Sequence, residues 1–159
     1  MAEFGRELDA IGVDFDGVIH GYSRGWHDGT IYDDPVPGAL EALRSLMTGY
    51  AVFIFTSRSP LQVGAWLADR GFHVVVESEG ECETGVGDGG FKCFHEDQHR
   101  QFWDERGRLL ITSRKLGALL YIDDRALRFT GWDDAFAWMA AHPRAGAAYA
   151  SESAPAVTS

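Results

Sequence analysis

This sequence is short of cysteine, of basic residues and of long apolar runs, and each shortage excludes something. Cys82 and Cys93 are the only cysteines in 159 residues, too few for a disulfide-stapled scaffold and consistent with a reducing cytoplasm. No apolar stretch is long enough for a membrane span and no signal-peptide pattern is visible, so a cytoplasmic chain with no membrane partner is expected. Lysine and arginine number 14 against 24 aspartates and glutamates. The resulting net charge of −10 makes nucleic acid an unfavourable partner unless a local basic patch overrides it. There are no internal repeats, which excludes a solenoid.

What is present suits a soluble α/β domain. At 45% hydrophobic residues the chain can bury a sizeable core, removing roughly 70% of its unfolded surface from water. Apolar runs predict strands over 10–14, 50–56, 72–77 and 119–123, with a short one around 127–130. Val36, Leu40, Leu43 and Met47 recur at helical spacing between the first two strands. A second helix is marked by Ser59 as cap, Pro60 in its first turn and Gly71 beyond its end, and it buries Val63, Trp66 and Leu67. A third opens at Asp133, carries Phe136 and Met139, and stops at Pro143. The expected architecture is a single Rossmann-like, doubly wound domain over 1–144 with a mainly parallel sheet. Residues 145–159, rich in alanine and serine, read as a disordered tail.

The most informative string is Ile11–Gly12–Val13–Asp14–Phe15–Asp16–Gly17–Val18. On an extended strand residues i and i+2 face the same way, so Asp14 and Asp16 can reach one site while Phe15 points into the core. An acidic turn closing a strand is the plainer explanation of the pair. That explanation weakens because two more apolar runs end in polar groups. Ala51–Phe55 runs into Thr56, Ser57 and Arg58, and Leu119–Ile122 runs into Asp123 and Asp124, with Lys115 just ahead. Open α/β sheets bind ligands beyond the carboxyl ends of their strands, where all these residues fall.

Taken together these residues resemble the haloacid dehalogenase-like (HAD-like) phosphohydrolases, whose four short motifs occur in this order. The Asp-x-Asp-Gly motif matches Asp14, Asp16 and Gly17, and the hydroxyl motif matches Thr56, with Ser57 beside it as the weaker match. Lys115 matches the motif lysine, and Asp123 and Asp124 match the acidic fourth motif. The resemblance spans roughly residues 10 to 140 and implies a Mg²⁺-dependent phosphatase acting on a small phosphorylated substrate.

In that reading Asp14 attacks phosphorus and forms an aspartyl-phosphate. Asp16 protonates the leaving oxygen and then activates water. Asp16 also favours ester hydrolysis over dehalogenation, because departing halide needs no proton. The resemblance implies that the Asp14 and Asp123 carboxylates and the Asp16 backbone carbonyl hold Mg²⁺, with Asp124 at the ion's edge or holding a water. An ion would answer the crowding of carboxylates, since two like charges at ~4 Å repel by ~4 kcal/mol at an effective dielectric of 20. Thr56 would donate to a phosphoryl oxygen, and Lys115 would neutralise charge on Asp14 and the phosphoryl group. An ordinary solvated lysine is the alternative for Lys115.

The family often carries a cap domain over its site. Here the gap from Gly17 to about Pro35 holds only a loop or small hairpin. Residues 78–112 combine an acidic, glycine-rich stretch, a helix around 95–103 and a hairpin-like segment over 102–110. Much of that length is needed to cross the sheet, so no large cap is expected. Substrate choice then falls to loops or to a neighbouring subunit, which leaves a homo-oligomer open. The loop bearing His20, Tyr22, Arg24, Trp26, His27 and Tyr32 offers groups to stack on a base or sugar, or rings that pin it to the body. Arg58, Arg125 and Arg128 would add positive charge near the substrate or form surface salt bridges.

Two further signals carry less. Gly85–Gly90 satisfies the dinucleotide pattern GxGxxG without joining a first strand to a helix, and reads as a loop. Cys82, Cys93, His95 and His99 supply four zinc-type ligands at spacings that fit no common zinc module. Other readings of the main site stay open: a nucleotide or nucleic-acid-end phosphatase, a phosphotransferase or mutase using the same intermediate, or an idle phosphate- or Mg²⁺-binding module.

Overall fold

The computed structural model describes residues 9–77 and 101–142. Five parallel strands form one sheet in the order β3-β4-β2-β1-β5, an α/β fold. They are β1 (Ala10–Asp14), β2 (Ala51–Phe55), β3 (Val74–Val76), β4 (Leu109–Thr112) and β5 (Leu120–Ile122). Three helices have both ends described, α1 (Ala39–Gly49), α2 (Pro60–Ala68) and α3 (Trp132–Ala141), and residues 101–104, overlapping the helix expected around 95–103, are helical as well. The chain divides after Asp124 into two compact units, Met1–Asp124 and Arg125–Ser159.

Strand alternation builds two cores, one on each face of the sheet. Ile11, Val13, Val52, Ile54, Leu109 and Ile111 face α1 and α2, meeting Leu43, Met47, Val63 and Leu67. Ala10, Ala51, Phe53, Val75 and Leu110 face the other way and pack with Phe102, Leu116 and Tyr121. Each fully buried aliphatic or aromatic side chain adds roughly 1.5–3 kcal/mol, so the central strands anchor the unit. Helix α1 turns Ala39, Leu43 and Met47 inward at four-residue spacing. Helix α2 begins on Pro60 and is followed by Gly71 at φ 83°. Its Gly64 lets it lie close on β3, since a Cβ there would come 2.6 Å from Val76 Cγ2.

Two strand expectations need correction. The segment read as hairpin-like over 102–110 ends in β4, which pairs in parallel with β2 on one side and β3 on the other. Leu109, Leu110 and Ile111 are fully buried because both faces of this central strand are covered. No strand forms over 127–130, where Leu127 and Phe129 are exposed.

The crossing of the sheet is also placed differently. Residues 77–108 lead from β3 only to its neighbour β4, and residues 113–119 alone carry the chain past β2 and β1 to β5. Three strand spacings come to roughly 14 Å, and an extended chain of that length reaches up to ~25 Å, so no helix is required. Leu116 and Ala118 on this connection pack on the second core.

In the second unit, α3 starts at Trp132 and buries none of its residues. Trp132 and Phe136 are 70% and 62% exposed. No helix among the described residues is long and apolar enough to cross a membrane. The glycine-rich 85–90 stretch, Cys82, Cys93, His95, His99, Pro143 and the 145–159 tail lie outside the described residues.

Candidate active site

Asp14 ends β1 at the carboxyl edge of the sheet, half-buried, with its Oδ1 accepting the Phe15 N–H at 2.8 Å. Burial raises its pKa to about 6; the Phe15 N–H opposes the rise, and the charges of Asp123, Asp124 and Asp16 add to it. The parallel pairing of β5 with β1 brings the acidic pair alongside. One carboxylate oxygen from each of Asp14, Asp123 and Asp124 lies within 4.8 Å of the others. Gly17 permits this approach. It has φ 87°, and a Cβ there would collide with the Asp124 carboxylate.

Asp16 stands on the turn after β1, where the Gly17 N–H donates to the His20 carbonyl at 2.8 Å. Its Oδ1 meets His20 Nδ1 at 2.8 Å, and its Oδ2 accepts from Arg58 Nε at 2.7 Å. His20 is fully buried, stacked on Phe15 with centroids 5.6 Å apart and edge-on to Tyr32 at 5.1 Å. Of the two roles open to this loop residue, pinning the loop describes His20. Arg58 is likewise interior, 1% exposed, with Trp26 over its guanidinium at 4.8 Å. The surface salt bridge considered for Arg58 is thus replaced by a buried one.

Thr56 follows β2 and Thr112 ends β4, and the Thr56 N–H donates to the Thr112 carbonyl at 3.0 Å. Both hydroxyls accept the N–H two residues ahead, Arg58 at 3.1 Å and Arg114 at 2.9 Å. The Thr112 hydroxyl proton goes to Glu77, which also pairs with Arg114. Among the described residues the Thr56 hydroxyl proton has no such acceptor, so this buried group can donate to a ligand. Ser57 is exposed beside it. Lys115 lies on the connection to β5, its ammonium 5.1 Å from the centre of the Tyr121 ring. No ion pair joins it to Asp14 among the described residues.

No family model, curated protein or solved structure matches this chain. The site therefore stands on its own geometry. Three carboxylate oxygens form a donor set for a hard cation. Mg²⁺ bonds of about 2.0–2.1 Å place adjacent octahedral oxygens about 3 Å apart, so carboxylate oxygens within 4.8 Å of one another suit a shared cation once their side chains draw inward. Asp124 is exposed and Asp14 half-buried, which leaves their side chains room for such a shift.

The expected residues Asp14, Asp123 and Asp124 are brought together, with Asp16 held on its turn and Thr56 on the neighbouring strand. Sequence reading assigned no site role to Glu77, Thr112 or Arg114, which close the same edge beyond β3 and β4. The only available signal was Leu109–Leu110–Ile111–Thr112 itself, an apolar run ending in a hydroxyl as Ala51–Thr56 does.

Proposed function

We propose that the chain is a phosphatase that hydrolyses a small phosphomonoester through an aspartyl-phosphate on Asp14, aided by Mg²⁺. The observation that carries this reading is the convergence of Asp14 with Asp123 and Asp124 within 4.8 Å, at the strand edge where α/β sheets bind ligands. The motif resemblance supports the same reading and selects Mg²⁺, which commonly pairs one or two carboxylates with substrate phosphate.

Asp14 carries the nucleophilic oxygen. Its Oδ1 is oriented by the Phe15 N–H, leaving Oδ2 for phosphorus. The new O–P bond forms as the ester P–O bond breaks, and the departing oxygen takes a proton from Asp16. Asp16 then removes a proton from the water that attacks the acyl phosphate, releasing inorganic phosphate and restoring Asp14. The Thr56 hydroxyl donates to a phosphoryl oxygen, and Lys115 supplies positive charge once it swings from Tyr121 toward the phosphoryl group. Asp14, Asp123 and the Asp16 carbonyl would hold the cation, with Asp124 beside it. When bound, the cation offsets the carboxylate charges and polarises the phosphoryl oxygens.

The test is a panel of phosphate esters with and without Mg²⁺, comparing wild type with Asp14→Asn. Turnover that needs the cation and vanishes in the variant supports the enzyme reading. Binding of esters without turnover by the wild type would instead mark an idle module.

A further inference from the structure

Asp16 has a second feature besides its place two residues after Asp14: each of its oxygens is engaged by a different buried donor. Arg58 Nε donates to Oδ2 at 2.7 Å and His20 Nδ1 meets Oδ1 at 2.8 Å. The His20 bond has a fixed direction. Its Nε2 accepts the Asp33 backbone N–H at 2.9 Å, so that nitrogen carries no hydrogen and the ring proton sits on Nδ1, donating to Asp16. Arg58 is anchored at its far end as well, through Nη1 to the Gly29 carbonyl at 2.5 Å and the Thr30 carbonyl at 3.3 Å. Gln62 on α2 donates to the same Gly29 carbonyl at 3.2 Å.

We infer that Arg58 and His20 are positioning residues that lock the Asp16 carboxylate in the orientation needed to handle the leaving-group proton, with loop 20–33 as their frame. The inference rests on the phosphatase reading and deepens it. It also reassigns Arg58, expected from its place after β2 to contact substrate. A guanidinium that is 1% exposed, spent on Asp16 and on two loop carbonyls, and covered by Trp26, is built to act through Asp16. Rotation of the Asp16 carboxylate would break both bonds at once. One donor fewer leaves it free to turn, and misplacement of a proton-transfer group is felt in chemistry rather than in binding.

Loop 20–33 is shaped to hold this clamp. Tyr22 and His27 adopt φ of 55° and 49°, unusual for non-glycine residues, and Tyr32 Oη donates to the Gly25 carbonyl at 2.7 Å. Among the described residues, buried Arg58 Nη2 has no hydrogen-bond partner. That cost is tolerated where the guanidinium's other N–H groups fix its plane against Asp16.

The test measures kcat and KM for wild type, Arg58→Lys, Arg58→Met and His20→Gln on an alkyl and an activated aryl phosphate, with thermal melting to establish that each variant is folded. For Arg58→Met and His20→Gln, first-turnover release of alcohol from the alkyl ester is expected to fall on the order of 10–100-fold while that from the aryl ester loses under about threefold; kcat falls on both esters, because Asp16 also activates the water, and KM for the alkyl ester stays within about twofold. Arg58→Lys, which keeps one charged donor, recovers part of the loss. In an Asp16→Asn background Arg58→Lys costs nothing further, since it has no group left to position. Should Arg58→Met fail to fold, Arg58→Lys and His20→Gln carry the same comparison. A raised KM with kcat preserved, equal first-turnover losses on both esters, or losses that multiply in the Asp16→Asn background would overturn the inference while leaving the phosphatase intact. A wild type that turns over no ester removes the phosphatase reading and this inference with it.

Discussion

The two sides of the candidate site are built differently. Strands β1 and β2 run through the middle of the sheet, and the polar groups just beyond them are buried, or partly so at Asp16, and tied down: Thr56 to Arg58, Arg58 to Asp16, Asp16 to His20. Strand β5 is an edge. Its Leu120 and Ile122 are 44% and 39% exposed, and it ends in carboxylates whose neighbour across the site is the half-buried Asp14. In the proposed phosphatase reading, the groups that would point at a reacting atom sit where packing fixes them. Groups that would close around a cation lie at the more exposed edge.

The largest expected effect tests the rigid side. Arg58→Met strands Asp16 in a partly buried position without its ion-pair partner, and breaking such a pair costs about 3–5 kcal/mol. Urea unfolding measures it. A loss under ~1 kcal/mol would mean that the central side is no more tightly held than the edge.

Next comes the pH dependence of Asp14. Its folded pKa of about 6 exceeds the unfolded value of 3.8, so the folded state holds the proton to higher pH than the unfolded chain does. Stability contributed by this group is therefore greatest below pH 3.8 and falls as pH rises toward 6, by at most about 3 kcal/mol. The difference between wild type and Asp14→Asn, followed by melting from pH 4 to 7, should grow over this window in favour of the variant. Millimolar Mg²⁺ at pH 7 should narrow it by stabilising the wild type alone.

Gly17→Ala touches the seam between the two sides. A left-handed backbone and a collision with Asp124 together predict a loss of roughly 1–2 kcal/mol, with weaker cation binding read by calorimetry. The smallest effect belongs to the edge. Asp124→Asn, at an exposed position, should change stability in the absence of cation by no more than about 0.5 kcal/mol, yet reduce the Mg²⁺-induced rise in melting temperature. A large loss without cation would show that the edge carboxylate is structural.

Most strands could be read from their apolar runs, and α2 from Pro60 and Gly71, because these signals are local. β4 escaped because three apolar residues and a threonine beside Arg106–Gly107–Arg108 suit the second arm of a hairpin as well as a short central strand. Only coverage on both faces distinguishes them. Arg58 was legible as a residue near the site, while its burial was not, since a basic residue after a strand ordinarily faces water. Its partners Asp16 and Gly29 come from a loop far from it in sequence.

The sequence by itself determined which residues end the strands: the two-residue period puts Asp14 and Asp16 beyond one apolar run, and Thr56 and the Asp123–Asp124 pair beyond two others. Only the tertiary structure decided that β5 lies against β1, so that three carboxylates meet, and that Arg58 turns inward to hold Asp16. The reason is physical. Periodicity is written by neighbours along the chain, whereas strand order and the pairing of a buried charge depend on which distant surfaces can be removed from water together.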